Sequence, residues 1–225
     1  LAALDADLAF SCFYSVYKFG SLITLLKDEA LKSEISESIA NGSKVGAIAI
    51  TEESSGHSEA DRKCHAKKEA GSYILSGKKV FVCNSEFADY AIVSAKVDDS
   101  EKESLFLVSL NDSEVKRTKD FESAGFKSSG IGSLEFSEVK IPESNLIGDT
   151  ASASEILNKI ETERNIGLSN IALGIAIAAY EKSRKYASER VIEGKPIAKI
   201  QSVHFKIAEM KVEIETAELL INRSA

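Results

Sequence analysis

The chain changes its periodicity twice, and this most constrains its fold. Up to about Ala40 and again from about Ser152, apolar residues recur three and four apart, the spacing of one helix face. Between Val45 and Gly148 the pattern shortens to strands: 45–52, 62–69, 72–76, 78–83, 89–97, 104–110, 114–121 and 132–141. Glycines at 71, 77, 125, 130 and 132 punctuate them. The expectation is an α+β fold, with helical segments flanking a central antiparallel β-barrel or sandwich and a helical bundle following.

The first helical stretch ends at Phe19-Gly20, and a second, about 21–40, stops at Asn41-Gly42. After Ser152 one long helix runs to about Glu193, small along its middle at Gly167, Ser169, Ala172, Gly174, Ala176, Ala178 and Ala179. A second helix, from about Ala198, carries the stripe Ile200, Val203, Ile207, Met210, Ile214, Ala217 and Leu220. Two helices cannot bury two such faces alone, so partner helices from outside this segment or another subunit are expected. No helix-start signal opens Leu1 and no Gly or Pro closes the last helix, as in the middle of a longer chain.

A net charge of −7 with acids and bases interspersed gives no basic stripe, which argues against nucleic acid as a partner. No apolar run approaches the roughly 20 residues of a membrane span. Three cysteines, Cys12, Cys64 and Cys83, fit free thiols in a reducing, cytoplasmic setting better than a disulfide frame. Cys64-His65 has no second half, so no metal site is expected.

Chemistry concentrates at two strand ends. One is Ile50-Thr51-Glu52, and the other is Phe81-Val82-Cys83-Asn84, reached through Tyr73-Ile74-Leu75 and a Ser76-Gly77 turn. Short polar side chains beside backbone amides and an aromatic ring suit a flat ligand with polar edges. No Gly-x-Gly-x-x-Gly is present, so a Rossmann site is not indicated.

These blocks resemble the acyl-CoA dehydrogenase family of flavoproteins. Gly46 to Glu52 with Gly56, and Tyr73 to Asn84, carry the resemblance first. Then come Gly125 to Ser129, Leu134 to Pro142 and Asn145 to Gly148, followed by Ile171 to Ala176, Tyr186 to Arg190, Gly194 to Ile197, Gln201 and Ala208 to Met210. The resemblance implies the end of an N-terminal helical domain over 1–44, a middle β domain over 45–148 and the start of a C-terminal bundle over 149–225. It implies FAD as cofactor, an acyl-CoA or acyl-carrier-protein thioester as substrate, α,β-dehydrogenation as reaction, electron-transfer flavoprotein as a partner and a homo-oligomer, dimer or tetramer.

By the same resemblance Ile50 and Thr51 meet the pyrimidine edge of the flavin, and Phe81 covers one ring face where the family often has Trp. Cys83 stands beside the reactive nitrogen where the family usually has Thr, and a thiol is the weaker donor. Thr51 and Cys83 are expected to line one slot. His57 stands where the family has a Ser touching the pantetheine arm, and Glu53 where it has a Pro; His57 is equally readable as a solvated loop histidine. These two departures motivate the carrier-protein alternative. Arg190 and Gln201 match residues that reach the FAD of a neighbouring subunit, while Glu193 replaces an aromatic there. A non-catalytic scaffold relative is the third reading.

The base is a carboxylate that takes the α-proton. In most members it lies near the C-terminus, beyond Ala225; in some it opens the long helix just before an arginine. Glu163-Arg164 looks like the second arrangement, with Glu163 as base and Arg164 on the substrate. Gapless counting back from Gly174, however, puts Arg164 at the base position, and one residue is about 100° of helix rotation. A bulge or loop insertion would restore Glu163. Glu161 and Glu163 are otherwise acids favoured at a helix start.

Overall fold

The computed structural model describes residues 1–55, 61–119 and 122–224. It divides into two compact units, Ser11–Glu161 and a second made of Leu1–Phe10 with Thr162–Ala225.

The first unit is built on a sheet. Its strands are β1 (Gly46–Ala49), β2 (His65–Glu69), β3 (Ser72–Val82), β4 (Tyr90–Val97), β5 (Glu103–Ser109), β6 (Val115–Thr118), β7 (Gly132–Pro142) and β8 (Leu146–Ile147). Among the described residues they form one eight-stranded sheet in the order β6-β7-β3-β2-β4-β5-β8, with β1 also paired to β4. The order is open at β6 and β8, so it is a mixed sheet and not a closed barrel. β1 and β2 both run parallel to β4, and the remaining pairs are antiparallel.

Alternation sorts the side chains between two faces. On one, Ala47, Ala49, Ala91, Val93, Phe106 and Val108 join Tyr73, Leu75, Leu134 and Phe136. On the other, Ile48, Ile92, Leu105 and Leu107 pack with Phe19, Leu22, Ile23, Leu26, Ile35 and Ile39. β1, β4 and β5 are thus covered on both sides, which is why each reads as an apolar run rather than an alternating one.

The helices before β1 differ from the expected pair. α1 (Ala6–Cys12) continues as a π-helix over Phe13–Phe19 and then as α2 (Gly20–Ile23). The expected second helix breaks at Thr24 and restarts as α3 (Glu29–Ala40), because the Asp28 carboxylate accepts from the Ala30 and Leu31 amides as an N-cap. The expected stop at Asn41-Gly42 stands, with Gly42 at φ +75°.

The hairpin turn also moves. Ser76-Gly77 lies inside the continuous β3, and the turn is at Ala70-Gly71, joining β2 to β3, with Gly71 at φ +72°. Gly77 instead marks a bulge in the β3–β7 register at φ +141°; a Cβ there would stand 2.8 Å from both the Cα and the Sγ of Cys64.

The second unit contains most of α4 (Ala153–Glu189), a hairpin of β9 (Val191–Ile192) and β10 (Lys195–Pro196), and α5 (Gln201–Ser224). The small middle of α4 admits a close approach: a Cβ on Gly174 would lie 2.6 Å from that of Ala2. α4 and α5 leave a groove of about 490 Å³ lined in part by Ala172, Leu173, Ala176, Ile214, Ala217 and Ile221. Val212, Leu219 and Leu220 are exposed. No described helix is long and apolar enough to cross a membrane.

Candidate functional site

Ile50 and Thr51 follow β1 directly and run against β3. The Thr51 carbonyl accepts from the Val80 amide at 2.9 Å, and the Ile50 carbonyl accepts from Lys79 Nζ at 3.0 Å. The β3–β7 register shifts between Lys79 and Val82, and within that shift Phe81 takes φ +55°. A bulge re-aims its residue: Phe81 is 63% exposed although Val80 and Val82 on either side are buried. Ile50 and Thr51 are half-buried. Ile50, Thr51 and Phe81 thus stand at neighbouring strand ends within one unit.

Cys83, two residues further on, is buried, with Sγ 3.4 Å from Asn84 Oδ1 and 3.8 Å from the Ser129 carbonyl. Burial pushes its thiol up to about 12, a rise that the Asn84 backbone only partly opposes. At neutral pH it is a thiol with its hydrogen bonds directed into the protein.

Glu52 begins a tight turn in which its amide donates to the Ser55 carbonyl at 3.3 Å and the Ser55 amide donates back to the Glu52 carbonyl at 3.0 Å. Its carboxylate points inward, accepting from the Lys63 amide at 2.6 Å, the Cys64 amide at 3.1 Å and Lys79 Nζ at 2.8 Å. Burial pushes its pKa up, but these three donors and the lysine charge outweigh it and hold the group below the usual carboxylate range. Beside this turn is a cleft of about 450 Å³ lined by Glu53, Ser54, Lys63 and Lys78 among others. His57 lies outside the described residues.

In the second unit α4 is α-helical throughout, with no bulge between Ala153 and Glu189. Glu161 and Glu163 are therefore not helix-start acids: they sit beyond its second turn, and the first-turn acid is Glu155. Glu163 is exposed, while Arg164 is half-buried with Nη2 3.4 Å from Asn165 Oδ1. Arg190 and Gln201 are both exposed and stand at the two ends of the connection between α4 and α5. The Arg190 carbonyl accepts from the Ile197 amide at 2.8 Å, closing the β9–β10 hairpin. Glu193 and Gly194 form its tip at φ +48° and +78°.

Two groups escaped the sequence. One is the buried set Arg62, Glu103, Lys79, Glu52 and Ser94; its only signal was a lysine on the inward register of a strand, hidden in the pair Lys78-Lys79. The other is Asn84, wholly buried at φ +66°, whose side chain bonds Ser11 and the Gly46 carbonyl.

Residues 47–139 match the family model described as acyl-CoA dehydrogenase, middle domain, and residues 156–225 that described as acyl-CoA dehydrogenase, C-terminal domain. The chain is 32% identical over 229 residues to the short-chain specific acyl-CoA dehydrogenase of Megasphaera elsdenii, spanning 100% of this chain and 60% of that protein. Its fold is similar to that of butyryl-CoA dehydrogenase from Megasphaera elsdenii, with a TM-score of 0.94, 31% identity, and 99% of this chain and 59% of the other covered. It is also similar to an acyl-CoA dehydrogenase from Bacillus anthracis complexed with FAD, at a TM-score of 0.89, 30% identity, and 98% and 39% coverage. The chain thus spans about three fifths or less of the length of these proteins.

The donor set agrees with a flavin on one side and departs from it on another. A half-buried threonine at a strand end and an aromatic ring raised on the adjoining bulge suit a flat ring with a polar edge. Cys83 offers only a weak donor, already committed to Asn84 and Ser129.

Proposed function

Because the chain belongs to the acyl-CoA dehydrogenase family, whose implied cofactor is FAD, we propose that the whole protein is a flavoenzyme that removes hydrogens from the α and β carbons of an acyl-CoA thioester. The observation that carries this reading is the β3 bulge, which raises Phe81 beside the strand end ending in Thr51. When bound, FAD supplies the acceptor for the β-hydride.

The chain's own residues have positioning and proton-handling roles in this reading. Ile50 and Thr51 hold the polar edge of the ring through a backbone that β3 fixes, and Phe81 covers one face. Arg190 neutralises pyrophosphate, which a guanidinium fork suits, and Gln201 assists it. The turn at Glu52–Ser55 and the charged cleft beside it receive the thioester arm, and substrate contacts are assigned to His57 and to Arg164. Glu163 is the base that this chain itself offers for the α-proton. As partners we infer an acyl-CoA, an electron-transfer flavoprotein and further copies of the chain.

The test uses the full-length protein. It is expected to purify yellow, and an acyl-CoA added without oxygen should bleach it. Glu163→Gln is expected to keep the colour and abolish bleaching; persistent bleaching moves the base beyond Ala225. Colourless protein that rejects added FAD refutes the enzyme reading, and bleaching by an acyl-carrier protein but not by an acyl-CoA refutes the substrate.

A further inference from the structure

Lys79 has no exposed surface, and its ammonium uses its three donors on Glu52 Oε1 at 2.8 Å, the Ile50 carbonyl at 3.0 Å and Ser94 Oγ at 3.1 Å. Glu103 Oε1 stands at 3.6 Å and also accepts from Ser94, while its other oxygen pairs with Arg62. The set holds two bases and two acids and is balanced in charge. A balanced buried set is seldom more stabilising than hydrocarbon of the same volume, so bulk stability does not account for it. It does something hydrocarbon cannot. Ile50 and Glu52, on either side of Thr51, are bound to one ammonium, and Thr51 itself is bound to the amide of Val80, the next residue. Three consecutive acceptors are thus held by two consecutive residues of β3.

We propose that Lys79 is a positioning residue: its ammonium fixes the Ile50–Thr51–Glu52 strand end in the place from which it meets the flavin edge. This rests on the proposed flavin role of Thr51. Since Lys79 acts through that strand end, its removal is separable from loss of charge balance.

The decisive variant is K79M/E52Q in the full-length protein. It deletes the ammonium and one carboxylate together, leaving Arg62 paired with Glu103. Two readouts are taken: hydrogen exchange of the Val80 amide, against β4 and β5 amides as internal controls, and FAD affinity by titration of the apoprotein. The expected result is Val80 exchange at least tenfold faster with the controls unchanged, and FAD bound at least tenfold more weakly. Wild-type FAD affinity in K79M/E52Q overturns the proposal, whatever the exchange rate. Unchanged Val80 exchange overturns it too. Should K79M/E52Q not fold, K79Q/E52Q keeps a polar side chain too short to reach the Ile50 carbonyl and is judged by the same two readouts. A wild-type protein that takes up no FAD sinks the flavin reading itself, a failure seen before any variant is made.

Discussion

Asn84→Ala should be among the most damaging single changes in the sheet unit. The wild-type amide donates to the Gly46 and Ser11 carbonyls at 3.1 Å each, and its oxygen accepts from Ser11 Oγ at 2.7 Å. Each bond is worth about 1 kcal/mol net, and a buried partner left unpaired costs about 1–3 kcal/mol. Gly46 lies in the buried β1 and takes the full penalty; Ser11 is partly buried and takes less. The backbone adds a second cost. At φ +66° alanine lacks the local hydrogen bonding that lets Asn accept the left-handed region, an added cost of roughly 1 kcal/mol. The sum is about 4 kcal/mol, which for a chain of this size lowers Tm by roughly 8–16 °C. Asn84→Gly loses the same bonds but relieves the backbone, so it should fall about 1 kcal/mol short of the alanine loss. Asn84→Asp turns a carboxylate oxygen toward two carbonyls, so its folded pKa rises above the unfolded value of about 3.9. Its deficit should then widen as pH rises above 4, because the unfolded chain releases the proton first. Denaturant midpoints for the three variants at pH 4.5 and 7 check this. An Asn84→Ala loss under 1 kcal/mol, or an Asn84→Asp deficit that is flat with pH, would refute the reasoning.

Gly46→Ala drives a Cβ to 2.3–2.8 Å from the ring of Phe19, which is fully buried and cannot yield. Overpacking of this kind costs about 1–3 kcal/mol, to be read as a Tm loss that Phe19→Leu partly restores. Burial pushes the thiols of Cys64 and Cys83 up to about 12. Above pH ~9 the unfolded chain ionises both while the folded chain does not, so stability falls by about 1.4 kcal/mol per pH unit per thiol; a denaturation series from pH 8 to 11 measures it, and neither thiol should react with a charged disulfide reagent before unfolding. Glu52 has the opposite sign. Its pKa is held low, so its contribution is complete above the unfolded value of about 4.3 and is lost as pH falls through the folded one. Glu52→Gln should therefore flatten the acid limb between pH 5 and 3 in a thermal-melt series.

The alternation of periods showed in advance where sheet and helix lie because burial writes directly into composition. β1, β4 and β5 are apolar on both faces, and the open groove between α4 and α5 is the unfilled stripe that the repeat at Ile214 and Ala217 announced. What failed was register. Ser76-Gly77 has the composition of a turn, and so has Ala70-Gly71. Only pairing with β7, which is distant in sequence, decides that the second turns and the first bulges. Asp28 was missed as a cap for a related reason: its neighbours Leu26 and Leu31 continue the helical stripe across the break.

The candidate site divides along the same line. Thr51 and Phe81 could be named because a strand end and its aromatic are local features. The left-handed backbone that lifts Phe81 outward is not a property of phenylalanine, which disfavours φ > 0. It is imposed from both sides, by Val80 bonded to Thr51 and by Val82 returned to register opposite Gly132. The same long-range pairing turns Lys79 inward and its neighbour Lys78 toward the cleft, so two identical letters carry opposite roles. On α4 the difficulty is angular. A regular helix from Ala153 leaves no bulge to rotate Glu163 onto the face of Arg164, and the two stay about 100° apart. The choice between a base at Glu163 and one beyond Ala225 therefore rests on which helix face meets the substrate, and Glu163→Gln decides it because that face cannot be changed without breaking the helix.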